Sequence, residues 1–253
     1  MALVRGADPA DLTVRESRDR ARSARGRYLR RWLPIGIGLL MAAAMVVMAA
    51  AAPLIAPLSP SAQFSDAVLK GPGVVERHLL GTDEFGRDIL SRVIWGARVS
   101  LQIGLASVLW SFVLGVPLGI LAGVRGGTIE TLIMRGADML MAFPTLLLAL
   151  IIVTALGGSL INEVLAISVA LVPNFVRLAR SLALTIREQD YIMAARALGS
   201  GQLRVMARHV FPNALYALVV VGTLYIATAI RTEAACRSSG SGFRRPRRAG
   251  GIS

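Results

Sequence analysis

The chain has 253 residues, 55% of them hydrophobic, with a mean hydropathy of +0.61. Soluble domains hold about 45–50% apolar residues even with glycine counted, so a water-soluble globule is excluded and an apolar solvent is required. The formal charge of +13 sits mainly at the two ends, and the single cysteine, Cys236, excludes an intrachain disulfide and a cysteine-based metal site.

Residues 1–32 carry nine Arg against Asp8, Asp11, Glu16 and Asp19. Basic ends can bind nucleic acid, but arginines just before a spanning helix mark its cytoplasmic side. These residues therefore read as a retained cytoplasmic tail, not a signal peptide, and no nucleic-acid partner is expected. A first span is expected over 33–52, ended by Pro53 and Pro57, which cannot donate the next helical hydrogen bond.

An external segment, 58–97, follows. It gathers Gly81, Thr82, Asp83, Gly86, Arg87 and Asp88, with Ser91 and Arg92 just after them. The glycines permit turns, and the aspartates can cap helices or pair with Arg87 and Arg92. This pattern suits a structural clamp better than a ligand site. His78 and His209 lack ligand spacing, so both read as interfacial side chains and no metal site is expected.

The second span, 99–123, places Gly115, Gly119 and Gly123 on one face, where another helix backbone can approach closely; Pro117 should kink it. Residues 124–138 read as a short internal loop with Arg125, Glu130, Arg135 and Asp138. A third span, 139–156, is bent early by Phe143-Pro144, and a fourth, 160–178, follows the turn Gly157-Gly158-Ser159. Glu163 falls at the outer end of the fourth span. No buried ionisable group is evident in any span, which argues against a proton-coupled carrier.

Residues 179–212 form a cytoplasmic loop, and the fifth span covers 211–230. With the amino terminus inside, five crossings leave the carboxyl end outside. Arg177, Arg180, Arg187, Arg196, Arg204 and Arg208 then all fall on the inner side, as basic residues prefer. Lys70, Arg77, Arg87 and Arg92 in the external segment run mildly against that preference.

Asp190–Pro212 is the polar insert between apolar runs. Tyr191, Ala195 and Leu198 share a helical face, while Arg187 and Arg196 can stay solvated. Gly199 suits the left-handed position that ends a helix. Gln202–His209 starts a second short helix that Pro212 closes. The alanines would let such a protrusion sit deep in a groove of another protein.

Ala194-Ala195-x-x-x-Gly199, with Pro212 downstream, resembles the signature loop of permease subunits in binding-protein-dependent ABC importers. The stretch GTDEFGRDILSR narrows the resemblance to the dipeptide, oligopeptide and nickel branch, and to its second permease-type subunit. Arg135, Asp138 and Ala142-Phe143-Pro144 fit that branch too, and the similarity runs from about Leu33 to Ala235.

The resemblance implies an all-α integral membrane fold, a polytopic bundle of the type I importer permease kind. It implies docking of Tyr191, Ala194, Ala195, Leu198 and Gly199 on a cytoplasmic ATPase. Many members open the motif with glutamate, where this chain has Met193, so a charge there is not essential to docking. The implied partners are two ATPase subunits that use ATP and Mg, a homologous second permease, an extracytoplasmic substrate-binding protein and membrane lipid. The chain has no phosphate-binding glycine loop with Lys-Ser/Thr, so no cofactor of its own and no hydrolysis are expected. The implied location is a bacterial or archaeal cytoplasmic membrane.

After Thr232-Glu233-Ala234-Ala235 the resemblance implies an apolar LSFLGLG run, a proline-rich turn and a sixth span. Residues 236–253 instead read CRSSGSGFRRPRRAGGIS. In GC-rich codons, one dropped base turns LSFLGLGIPPP into CRSSGSGFRRP, so a frameshift after Ala235 is expected. The expected organisation is then a tail (1–32), a permease domain of five spans with the sixth missing (33–235), and a disordered, out-of-frame tail (236–253). An autonomous channel or secondary carrier, and an inactive truncated permease, are the alternative readings.

Overall fold

The computed structural model describes residues 33–56, 58–73 and 78–239. The arginine-rich tail, Pro57, Arg77 and the glycine- and arginine-rich stretch from residue 240 onward lie outside the described residues. Apart from one isolated antiparallel bridge, Thr82 to Asp88, the regular structure among the described residues is helical. The chain divides into two units, Met1–Arg98 and Val99–Ser253.

The first unit opens with α1 (Leu33–Ala50), whose 18 residues contain no charge. At a rise of 1.5 Å per residue it measures about 27 Å, close to the about 30 Å of a bilayer core. Pro53 then sits in the first turn of a short α2 (Ala52–Ile55). A missing N–H costs nothing there, so this proline opens a helix as well as following one.

Helix α3 (Ile89–Arg125) begins before Val99, so the non-helical stretch before it ends at Asp88. The Asp88 carboxylate explains the early start. Its Oδ2 accepts the Ser91 N–H at 2.7 Å, satisfying one of the unpaired donors of the first turn. Pro117 lies within α3, which continues past it to Arg125.

The presumed loop 124–138 is a helix, α4 (Gly127–Met141). Its charges mark a face, not a loop. Arg180 of the later helix α6 donates through Nε to Glu130 at 2.6 Å, and Arg177 pairs with Asp138 at 2.6 Å. The third span is correspondingly not one helix from Met139. An 84° bend at Ala142-Phe143-Pro144 separates α4 from α5 (Thr145–Leu156). Phe143, as the residue before a proline, is pushed away from helical geometry. At 12 residues, α5 is about 18 Å long and cannot cross alone.

Helix α6 (Leu160–Arg187) is capped by Ser159, which accepts the Asn162 N–H at 3.1 Å. It runs past Leu178 to Arg187, shortening the loop that follows. Next come α7 (Asp190–Ala197), α8 (Gln202–Val205), a π-helical turn (Met206–Val210) and α9 (Phe211–Ser238). Gln202–Ser238 is continuous helix, so Pro212 does not close anything. The π turn absorbs it: Phe211 N–H reaches back five residues to the Met206 carbonyl, and the wider turn relieves the clash a proline ring makes with the preceding turn. Helix α9 also passes Ile230 and takes in Cys236 and Arg237. Cys236 is fully buried, so the first residues of the 236–253 stretch are folded.

Four of these helices are long and apolar enough to cross a membrane, and the bent pair α4–α5 makes a fifth if it counts as one span. In the second unit Phe175 is wholly buried, edge-on to Phe112 at 5.6 Å and to Tyr225 at 5.1 Å. Exposed side chains such as Trp110, Ile161, Tyr216 and Leu224 are those that lipid or another subunit would cover.

Two buried acids correct the expectation that no span holds one. Glu163 and Glu233 are 0% and 1% exposed. Glu233 accepts from Ser100 Oγ at 2.8 Å and pairs with Arg237. Both lie near helix ends, in the first turn of α6 and toward the end of α9.

Candidate functional site

The insert is fixed from beneath and bare on top. Ile192, Val205 and Val210 are completely buried and join the apolar core of the second unit. Arg187 does not stay solvated; its Nη1 donates to the Gly123 carbonyl at 2.8 Å, tying the end of α6 to the last turns of α3. Arg125 reaches Gln202 Oε1 at 3.4 Å. Asn213 donates to the Tyr191 hydroxyl at 3.3 Å, and the Tyr191 and His209 rings lie 6.3 Å apart.

The outward side differs. Leu198 is 88% exposed, Leu203 78%, Met193 54% and Tyr191 46%, with Ala194 exposed and Ala195 half-buried beside them. The close of α7 is fixed by backbone hydrogen bonds. Gly199 adopts φ +83°, its N–H donates to the Arg196 carbonyl at 2.9 Å, and the Ser200 N–H donates to the Ala195 carbonyl at 3.0 Å. This is the paired-bond ending that needs a left-handed residue after the helix. A Cβ on Gly199 would meet nothing within 4 Å, so backbone conformation, not room, selects glycine. Beyond it lies a shallow open depression lined by Gly199, Gly201, Leu203, Arg204 and Ala207. Met193 and Leu203 extend the apolar surface beyond the residues that motif reasoning selects. Their signal was present as isolated apolar side chains in an arginine-rich stretch.

Gly115, Gly119 and Gly123 face α6. A Cβ on Gly119 would stand 2.3 Å from the Val176 carbonyl oxygen, and one on Gly123 would stand 2.7 Å from Ala183 Cβ. A Cβ on Gly115 would meet Phe175 Cβ at 2.8 Å. The register rises together on both helices, so α3 and α6 run parallel, with their carboxyl ends beside the insert. Upstream, Ser111 donates to the Ser168 carbonyl at 2.9 Å and Ser168 to the Ser107 carbonyl at 3.2 Å, completing the seam with polar contacts.

The 81–88 stretch closes on itself within the first unit. Gly81 and Gly86 have φ of +78° and +69°. A Cβ on Gly86 would lie 2.0 Å from the Phe64 carbonyl oxygen. Thr82 Oγ1 donates to the Ala67 carbonyl and accepts the Lys70 N–H at 3.1 Å. Asp83 accepts the N–H groups of Phe85 and Arg87, both at 2.9 Å, and pairs with the side chains of Arg87 and Arg92. His78 is buried against Asp88, its Nδ1 3.2 Å from Oδ1, so it is not an interfacial side chain.

Burial pushes the Asp83 carboxyl upward, but the N–H groups of Arg87 and Phe85 and the Arg87 guanidinium outweigh it and hold it below the ordinary range. Asp88 behaves alike: burial raises it, and hydrogen bonds from Ser91 and His78 bring it below the usual value. Among the described residues no group of three or more His, Cys, Asp or Glu is arranged to hold a metal.

Residues 115–246 match the family described as binding-protein-dependent transport system inner membrane component. The di/tripeptide transport system permease protein DppC of Pseudomonas aeruginosa is 46% identical over 213 residues, which is 83% of this chain and 70% of that protein. The dipeptide transport system permease protein DppC of Escherichia coli is 40% identical, over 87% of this chain and 74% of its own length. The glutathione transport system permease protein GsiD of Pectobacterium atrosepticum is 34% identical, over 87% and 72%. An inward-facing structure of the MetNI methionine ABC transporter aligns with a TM-score of 0.51 at 22% identity, covering 57% of this chain and 73% of that one, a likeness of fold.

Proposed function

Because this chain belongs to the family of binding-protein-dependent transport inner membrane components, we propose that its Asp190–Pro212 insert couples a cytoplasmic ATPase to the movement of the spans. The chain is a membrane-spanning permease subunit of a peptide ABC importer, set in the cytoplasmic membrane by several crossings. It is a transport subunit and not itself an enzyme. The cargo class is short peptides or similar small solutes, from the peptides and glutathione that name its relatives.

The observation that carries the coupling role is the contrast within the insert. Ile192, Val205 and Val210 bind it to the core, while Ala194, Leu198 and Leu203 are left bare. A segment fixed below and uncovered above transmits force when something grips its upper side. Tyr191, Ala194, Ala195, Leu198 and Gly199 form the gripped surface. ATP and Mg act on the partner ATPase subunits; a second permease and an extracytoplasmic binding protein complete the assembly. ATP-driven closure of the ATPases would move the insert, and with it α6 and α9, between inward- and outward-open arrangements.

We infer the orientation from the basic residues at the same end of the second unit. Arg125 touches Gln202 of the insert, and Arg177, Arg180 and Arg187 lie on the carboxyl-terminal half of α6 that leads into it, the side that short loops with basic residues favour as cytoplasmic. The amino terminus is then inside, and the 58–88 stretch is external.

Co-purification tests this. With Ala195→Trp the permease should reach the membrane and elute as a single species but retain no ATPase subunit. Full ATPase retention by that variant would refute the coupling role.

A further inference from the structure

The arginines at this end of the molecule fall into two groups. Arg125, Arg177, Arg180 and Arg187 are engaged internally, by Gln202, Asp138, Glu130 and the Gly123 carbonyl respectively. Arg196, Arg204 and Arg208 are exposed and have no ion pair or side-chain hydrogen bond among the described residues. From Tyr191 to Val210 the sequence contains no Asp or Glu at all. Its acidic neighbours, Glu188 and Asp190, precede this stretch.

We propose that the ATPase surface received by this insert is a groove with an apolar floor and an acidic rim. In it Leu198 and Leu203 meet the floor, and Arg196, Arg204 and Arg208 pair with rim carboxylates. The inference rests on the docking reading above and adds the partner's chemistry to it. With Met193 and no acidic residue from Tyr191 to Val210, every formally charged side chain on this face of the insert is cationic. Opposite charges around an apolar centre set register and speed encounter, and arginine forks pair well with carboxylates.

An anionic lipid surface would also attract three arginines and two leucines. The shape favours a protein. The depression lined by Gly199, Gly201, Leu203, Arg204 and Ala207 is shallow and open, and Leu198 and Leu203 project beside it. A hollow flanked by projecting leucines can interlock with a protein groove of matching relief; a fluid lipid surface has no such relief.

The test uses the full transporter with its own ATPase subunits in nanodiscs. Arg204→Glu with Arg208→Glu should lower ATPase retention roughly tenfold or more, since like charges across an interface are costly. The corresponding glutamine pair should lower it less, and a carboxylate-to-lysine change on the ATPase rim should restore it to the glutamate pair. Unaltered complex should lose ATPase as salt rises from about 0.05 to 1 M. Salt-insensitive retention overturns the proposal even if the glutamate variants fail to fold. Retention unchanged in the glutamate pair but lost in Ala195→Trp removes the acidic rim and leaves docking intact. Retention unchanged in both removes docking as well. If the glutamate pair alters only binding of ATPase-free permease to vesicles containing phosphatidylglycerol, the arginines serve lipid and the proposal fails.

Discussion

The α3–α6 seam and the insert are built from the same small residues and end in opposite situations. At the seam, Gly115, Gly119 and Gly123 bring one helix onto another within the chain, and a Cβ at any of them would collide with α6. On the insert, Ala194, Ala197 and Gly199 stand exposed, with three arginines lacking partners among the described residues. Small residues therefore do not mark an interface as internal or external. What separates the two is whether the surface above them is already occupied.

The sharpest way to break the comparison is a leucine in each place. Gly119→Leu should cost about 3 kcal/mol or more through overpacking, read as a lower melting temperature or loss of folded yield in detergent. Wild-type melting would mean the helices are not in close contact. Ala194→Leu, on the open surface, should change stability by no more than about 0.5 kcal/mol while ATPase retention falls. A large loss of stability there would make the insert a packed element, not a docking one.

The 81–92 clamp offers an intermediate case, in which polar partners are supplied within one short segment. Asp88→Ala removes the cap on α3 and the partner of His78, and should cost about 1–2 kcal/mol in thermal unfolding. The sign of the pH dependence follows from Asp83 and Asp88, whose carboxyls are held below the ordinary value of 3.8. A carboxyl depressed in the folded state adds stability that is fully present above its unfolded value and lost as pH falls through the folded one. Hydrogen-exchange protection of the 81–92 backbone, relative to the intrinsic rate at each pH, should therefore fall only below about pH 4; a fall already near pH 6 would contradict this. The smallest effect is expected at Ser168→Ala, below about 1 kcal/mol, because the Val164 and Ser107 carbonyls it serves lie in helices that bond them otherwise.

Hydrophobic runs made the crossings legible, and the Ala-Ala-x-x-x-Gly spacing made the insert legible. Charge and proline misled where tertiary contact decides. Glu130 and Asp138 looked like loop residues because nothing in the local pattern reveals that Arg180 and Arg177 of another helix will receive them. Pro212 looked like a stop because only the π-helical turn before it shows how the helix accommodates the ring. Asp88 could be read as a cap, but not as the cap of a helix that starts well before the apolar run. Glu233 was overlooked since its burial depends on Ser100, far away in sequence.

The coupling proposal requires Leu198 to face a cytoplasmic ATPase. Its most direct test is Leu198→Cys in a Cys236→Ala background, cross-linked within the assembled transporter in native membranes and probed with a membrane-impermeant thiol reagent from each side. A disulfide to a cysteine placed in the ATPase groove is expected in the assembled transporter, and labelling from the cytoplasmic side alone is expected in the permease freed of its ATPase. Labelling from the outer side, or no cross-link to any groove position, would contradict it.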